Sequence, residues 1–299
     1  LRPIDLHLSS LRLMGAQIET EGGVLSCRCP DGLHGEKITL SFPSVGATEN
    51  ILIAAASADG ETVILNAARE PEIADLADFL CSCGAHISGA DSGEIKVCGV
   101  KKLHSAEHTV IPDRIIASTY MAAAAVTGGD VRILDTRAEH ITPVIPVFEQ
   151  AGCKVDCGEN SVHILAPVRL RSVQTVRTMP YPGFPTDSQA AVMAMLSVAH
   201  GTSVMIENIF ENRYRHVREL CRLGADIMTE GKVAVIKGVE TLTGACVCAA
   251  DLRAGTALAV AGLAAQGSTT IENVCLIDRG WQDMEEKLRS LGAEIERES

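Results

Sequence analysis

Residues 179–189 read MPYPGFPTDSQ, and the ten that follow, AAVMAMLSVA, carry no charge. Pro180, Pro182 and Pro185 each hold φ near about −65° and keep the preceding residue extended, so the segment stays non-helical as far as Thr186. Residues 190–199 are apolar on every side, the pattern of a helix enclosed by a core. Thr186 or Asp187 then stands where an N-cap is needed, with an oxygen to accept the N–H groups that a first helical turn leaves unpaired. The same place suits a second use, because a stiff loop there delivers a single carboxylate, Asp187, to the entrance of a buried helix.

Working outward, the chain repeats. A Gly-Ala or Gly-Cys pair followed by a short alternating strand occurs at Gly15, Gly84, Gly152, Gly224 and Gly292, at intervals of 69, 68, 72 and 68 residues. An Ala-rich helix leading through Gly into a strand that ends near Asn or Asp occurs four times, with the helices expected over residues 51–58, 115–126, 190–199 and 256–265. The unit is about 70 residues long. An amphipathic helix follows within each copy. In the last, Trp281, Met284, Leu288 and Leu291 recur at helical spacing. Helices apolar all round must be covered on all sides, whereas alternating strands such as those at 94–97 and 233–237 need cover on one face. The combination predicts an α/β fold with helices inside and sheets outside, in two domains at 1–111 and 112–299. The Gly-Ala element outnumbers the Ala-rich helix by one and the chain opens on Leu, which reads as a carboxy-terminal portion of a longer protein, with a natural half-repeat serving as an end cap as the alternative.

Composition narrows the function classes. The net charge of −12 opposes a nucleic-acid surface, which needs clustered Lys and Arg, so any anionic ligand has to meet a local group of arginines. No uncharged run reaches the length of a membrane span. Only nine residues are aromatic (one Trp, three Tyr, five Phe), so the core must come from closely packed Ala, Val, Ile and Leu. The eleven cysteines are odd in number and lack C-x-x-C spacing, which indicates neither a disulfide framework nor a metal site. They read as small buried hydrophobes in a reducing, cytoplasmic setting.

Arginines beside carboxylates stand out. Asp251-Leu252-Arg253 precedes the last buried helix, Asp278-Arg279-Gly280-Trp281 precedes the last amphipathic one, and Arg213 closes IFENR at residues 209–213. A guanidinium at a positive helix N-terminus is unfavourable unless it answers an anion, and its fork holds carboxylate or phosphate in bidentate fashion. Each is also readable as a surface ion pair. Ser44, Val45 and Gly46 have small side chains through which backbone N–H groups can approach a phosphate ahead of the first buried helix. Residues 66–72 (NAAREPE) form a polar turn closed by proline. Neither a Walker loop nor G-x-G-x-x-G is present.

Taken in order, RPIDLH at residues 2–7, PSVGAT, NAAREPEI, PDRI at 112–115, FPTDSQ, IFENR, DLRAG and IDRGW resemble the UDP-N-acetylglucosamine 1-carboxyvinyltransferases over the whole chain. The resemblance implies an inside-out α/β prism of two domains with the active site in the cleft between them. It implies transfer of the enolpyruvyl group of phosphoenolpyruvate to the 3′-hydroxyl of UDP-N-acetylglucosamine with release of phosphate. That is the first committed step of peptidoglycan synthesis, on which cell shape and division depend. It implies no cofactor and no metal, and a monomer is expected. Residue by residue, Asp187 matches the carboxylate at the hydroxyl. Arg2 and Arg279 match arginines of the phosphoenolpyruvate site, with Asp251 and Arg253 beside them. Arg2, Pro3, Ile4, Asp5, Leu6, Ser44, Val45, Gly46, Asp187 and Ile209 match positions holding the sugar nucleotide. Glu70, Arg114, Thr186, Phe210 and Arg213 complete the expected substrate-binding set, and Asp187, Asp251 and Arg279 the catalytic one.

Two departures qualify the match. Phe42 stands where some members carry a Lys two residues before the serine of the SVG loop. The family's early Lys-Asn pair, a further arginine and the loop cysteine that serves as acid belong upstream of RPID, and none of the eleven cysteines matches that loop. The chain by itself is therefore expected to turn over slowly or not at all. Two rivals stay open: a non-catalytic sugar-nucleotide-binding paralogue, and a related enolpyruvyl transferase such as the shikimate pathway enzyme, which shares the repeat but not the FPTD, AREPEI and IFENR strings.

Overall fold

The structure, a computed structural model, describes residues 4–298. The chain divides into two compact units, Leu1–Ile111 with Pro180–Pro182, and Pro112–Met179 with Gly183–Ser299.

In the first unit, α1 (Asp5–Leu13) leads into the antiparallel hairpin β1 (Gln17–Glu21) and β2 (Val24–Arg28). There follow β3 (Lys37–Thr39), α2 (Val45–Ala55), β4 (Glu61–Leu65), α3 (Pro71–Ser82), β5 (His86–Ser88) and β6 (Glu94–Cys98). The four later strands form a sheet in the order β3-β4-β6-β5, parallel at β3–β4 and antiparallel elsewhere. The alternation anticipated at 94–97 appears in β6, where Ile95 and Val97 are buried and their neighbours exposed. These residues, with Ile38 and Ile64, meet Ile51, Leu52 and Ala55 of α2 in one core.

The second unit repeats the scheme. It contains α4 (Arg114–Thr127), β7 (Asp130–Leu134), α5 (Ala138–Ile141), α6 (Ile145–Gln150), β8 (Lys154–Cys157), β9 (Ser161–Leu165), β10 (Thr175–Arg177), α7 (Gln189–Leu196) and β11 (Thr202–Ile206). Then come α8 (Val217–Arg222), β12 (Asp226–Glu230), β13 (Val233–Lys237), β14 (Leu242–Thr243), β15 (Cys246–Cys248), α9 (Leu252–Ala264), β16 (Ala265–Gln266), β17 (Thr270–Glu272), α10 (Cys275–Asp278) and α11 (Met284–Ser290). The sheet β10-β11-β13-β12 has the same order and directions as that of the first unit. Beside it lie β7-β9-β8 and the short parallel pairs β14–β16 and β15–β17. Helices α4, α7 and α9 pack on one another, and all eight residues of α7 are buried. Enclosing a Val, Leu or Met side chain stabilises by about 1.5–3 kcal/mol, so this uncharged helix is held by burial rather than by caps. No helix among the described residues is long and apolar enough to cross a membrane.

The repeat shows in the backbone itself. Gly15, Gly84, Gly152, Gly224 and Gly292 all have φ between 93° and 102°, which side chains disfavour. Asn66, Asp135 and Asn273, at the strand ends of three copies, all sit in the left-handed region at φ 50–59°.

Several expectations are corrected. Thr186 and Asp187 do not cap α7. The helix starts at Gln189, Ser188 occupies the cap position without a side-chain cap bond, and its hydroxyl instead meets Ser118 Oγ at 2.7 Å. The amphipathic helix of the second copy is split into α5 and α6, with Pro143 and Pro146 in the interruption or just after it. The last amphipathic helix begins at Met284, not Trp281, because Asp283 adopts φ 53°. Residues 293–298 form no strand; the Ile295 carbonyl accepts from the Arg289 guanidinium at 2.7 Å rather than from a neighbouring strand. A strand pattern acquires strand geometry only beside a pairing partner.

Candidate active site

The side chain of Asp187 is the junction. One carboxylate oxygen accepts from Arg213 Nη2, the other from Arg253 Nη2 at 3.0 Å. The two guanidinium side chains are 15% and 20% exposed, while the carboxylate keeps 40%. Burial works against ionising this acid. The charges of Arg253 and Arg213, the hydrogen bond from Arg253 and the charge of Arg114 outweigh that, and hold the Asp187 carboxyl below the ordinary range. Three guanidinium groups thus act on one carboxylate, a local positive excess in a chain of net charge −12.

Each partner is placed by a distinct element. Arg253 is the second residue of α9, whose cap is Asp251, with Oδ1 accepting from Ala254 N–H at 2.9 Å. Asp251, expected in the catalytic set, therefore has one oxygen committed to the helix end. Arg114 opens α4, where Asp113 caps through bonds from Ile115 and Ile116 N–H. Arg213 lies in the irregular segment after β11, its guanidinium carbon 5.3 Å from the centre of the Phe210 ring, a cation–π distance. His216 is buried nearby, 3.3 Å from Met193 Sδ.

Arg279 is not at a helix entrance as expected. It is the C-cap of the four-residue α10, five residues before α11. Two glycines bring α10 against α9: a Cβ on Gly255 would meet Ile277 Cγ1 at 2.5 Å, and one on Gly280 would meet Leu252 Cδ2 at 2.7 Å. The second contact sets Arg279 and Arg253 on adjoining residues of one packed pair.

Glu207 escaped the sequence reading. It is 1% exposed and accepts from Thr178 and Thr186 hydroxyls and from Ile209 and Phe210 N–H. A signal existed, because the inward alternation Ser203, Met205 of β11 carries on to Glu207.

The remaining expected residues belong to the first unit. Ser44 caps α2, accepting from Ala47 N–H at 3.4 Å, and Val45 and Gly46 form its first turn. Glu70 occupies the cap position of α3, and its carboxylate accepts from Tyr181 N–H at 3.3 Å. Ile4 is at the cap of α1, with Asp5 and Leu6 in its first turn. Arg2 and Pro3 lie outside the described residues.

Comparison with known proteins decides the family. Residues 1–288 match the family model of EPSP synthase (3-phosphoshikimate 1-carboxyvinyltransferase). A protein of Caldanaerobacter subterraneus subsp. tengcongensis named UDP-N-acetylglucosamine 1-carboxyvinyltransferase 2 is 50% identical over 99% of this chain and 71% of its own length. The chain belongs to the UDP-N-acetylglucosamine 1-carboxyvinyltransferase family. A member of the family from Finegoldia magna is 49% identical over 99% of this chain and 70% of its own length. Among solved structures, the enolpyruvyl transferase NikO from Streptomyces tendae superposes with a TM-score of 0.89 at 26% identity, covering 99% of this chain and 72% of that one. EPSP synthase from Acinetobacter baumannii, at TM-score 0.74 and 24% identity over 99% of this chain and 72% of that one, shares the fold. The inside-out α/β architecture expected for the carboxyvinyltransferase family is the one observed.

Proposed function

We propose that this chain carries the enolpyruvyl transferase chemistry of its family, moving the enolpyruvyl group of phosphoenolpyruvate to the 3′-hydroxyl of UDP-N-acetylglucosamine with release of phosphate, in the service of peptidoglycan synthesis. The observation that carries this reading is Asp187 with Arg213, Arg253 and Arg114 acting on it. Addition of a hydroxyl to an enol phosphate and elimination of phosphate need a base at the hydroxyl, an acid at the alkene carbon, and cations for one phosphate and one carboxylate. Asp187 is the base in this reading, and Arg253 and Arg279, flanking the Gly280–Leu252 contact, receive the anionic groups of phosphoenolpyruvate. The acid is assigned to no residue of this chain.

The ion pairs suggest an order of events. A carboxylate held below its ordinary pKa is a weak base. A bound phosphate or carboxylate competes for the same guanidinium groups, and as it draws them away the proton affinity of Asp187 rises beside the hydroxyl it must deprotonate. In the first unit Ser44, Val45 and Gly46 are proposed for the diphosphate, and Glu70 for the sugar nucleotide, on the strength of the family match. A cytoplasmic location is proposed from the eleven free thiols.

Calorimetric titration tests the substrate assignment. UDP-N-acetylglucosamine binds and shikimate 3-phosphate does not, and phosphoenolpyruvate binding weakens by about 10-fold or more in Arg253→Ala through loss of a charge-assisted pair. Binding of shikimate 3-phosphate in place of the sugar nucleotide would assign the chain to the other branch. Where turnover is measured as phosphate release, Asp187→Ala lowers it by about 10² or more; turnover that Asp187→Ala leaves unchanged removes this carboxylate from the role of base.

A further inference from the structure

Two loops converge on one buried side chain. Glu207 Oε1 accepts from the Thr178 hydroxyl at 3.0 Å and from the N–H groups of Ile209 and Phe210 at 2.8 and 3.0 Å, while Oε2 accepts from the Thr186 hydroxyl at 2.9 Å. The Thr178 hydroxyl oxygen in turn accepts from Asn208 N–H at 2.9 Å, and the Thr178 carbonyl from Asn208 Nδ2 at 3.2 Å. Thr186 immediately precedes Asp187, and Phe210 stands three residues before Arg213. Enclosing a carboxylate is costly unless its lone pairs are satisfied, and four donors do so here. An apolar residue at the end of β11 would bury as well, but could not orient those donors.

We propose that Glu207 is the positioning residue of this site: its carboxylate ties the 178–186 segment to the turn at 209–210, and so sets where Asp187 meets Arg213. The functional consequence rests on the proposed role of Asp187; the tie itself does not.

The test combines two readouts that need no turnover, the titration of the Asp187 carboxyl by carbon NMR and amide exchange at Ile209 and Phe210, with calorimetry on UDP-N-acetylglucosamine. Glu207→Gln keeps the shape but offers a neutral oxygen, which accepts roughly half as strongly. Exchange at 209 and 210 rises about tenfold, Asp187 titrates closer to an ordinary carboxyl, and sugar-nucleotide affinity falls about tenfold. Thr186→Val removes the Oε2 bond alone and moves the Asp187 titration with little change at 209 and 210. Ser203→Ala is the control. It deletes the acceptor of Val173 N–H at 2.9 Å on the same strand, and leaves both readouts in place even as it lowers stability. The proposal is overturned if Glu207→Gln leaves titration and exchange at wild-type values, or if Ser203→Ala shifts them equally. A wild-type protein that binds no sugar nucleotide sinks the substrate reading, while titration and exchange still decide the role of Glu207.

Discussion

His216 and Asp187 are neighbours of Arg213 that meet acid in separate pH windows. Burial lowers the affinity of the His216 ring for a proton, Asp251 partly restores it, Arg213 opposes it, and the result is a value of about 4. The unfolded chain, with histidine near about 6.5, binds a proton that the native state refuses, so stability falls as pH drops from about 6.5 to 4 and levels off below. The difference amounts to roughly 3 kcal/mol at most. Urea unfolding followed from pH 7 to 4.5 should show this slope, and His216→Gln should flatten it. Asp187 behaves in the other window. Its folded value lies below 3.8, so what its pairing contributes is present at higher pH and is lost only as pH falls through that lower value. An Asp187→Asn variant should match wild type in slope between pH 7 and 4.5. Sequence could place this Asp at a helix entrance but could not tell cap from ion pair, since that depends on which way the carboxylate points. The turn at residues 186–188 directs it to Arg213 and Arg253, 26 and 66 residues away.

At the scale of elements, the contact of α9 with α10 places two arginines by means of two missing side chains. Gly280 touches Leu252 so closely that alanine must displace the leucine end, and because that end is the tip of a side chain the overpacking costs about 1 kcal/mol. Since Arg279 and Arg253 flank that contact, Gly280→Ala should weaken phosphoenolpyruvate binding by about tenfold, judged from a charge-assisted bond, while the far-ultraviolet dichroism stays unchanged. Shortening the leucine in Leu252→Val should recover part of the loss in calorimetry. In the sequence, IDRGW stands out for its arginine. The reason for its glycine was not readable, because it lies in a helix distant along the chain.

Over the whole molecule, the buried-helix architecture follows from a unit recurring about every 70 residues. Its most repeatable mark is a glycine at φ near 100°. Gly224 shows the constraint without confounding contacts, since a Cβ there would meet nothing nearer than Thr243 N at 4.0 Å. Gly224→Ala should therefore cost about 1–2 kcal/mol of backbone strain alone, seen as a lower urea midpoint with unchanged slope. Fold class, repeat length and the uncharged inner helices were legible from the amino-acid order, because backbone handedness and periodic burial are local properties that each copy declares for itself. Where the carboxylate of Asp187 points and that Glu207 binds two loops were decided by tertiary structure. Each depends on a partner supplied by a remote segment, and a hydrogen bond or ion pair exists only once folding has carried both its halves to the same place.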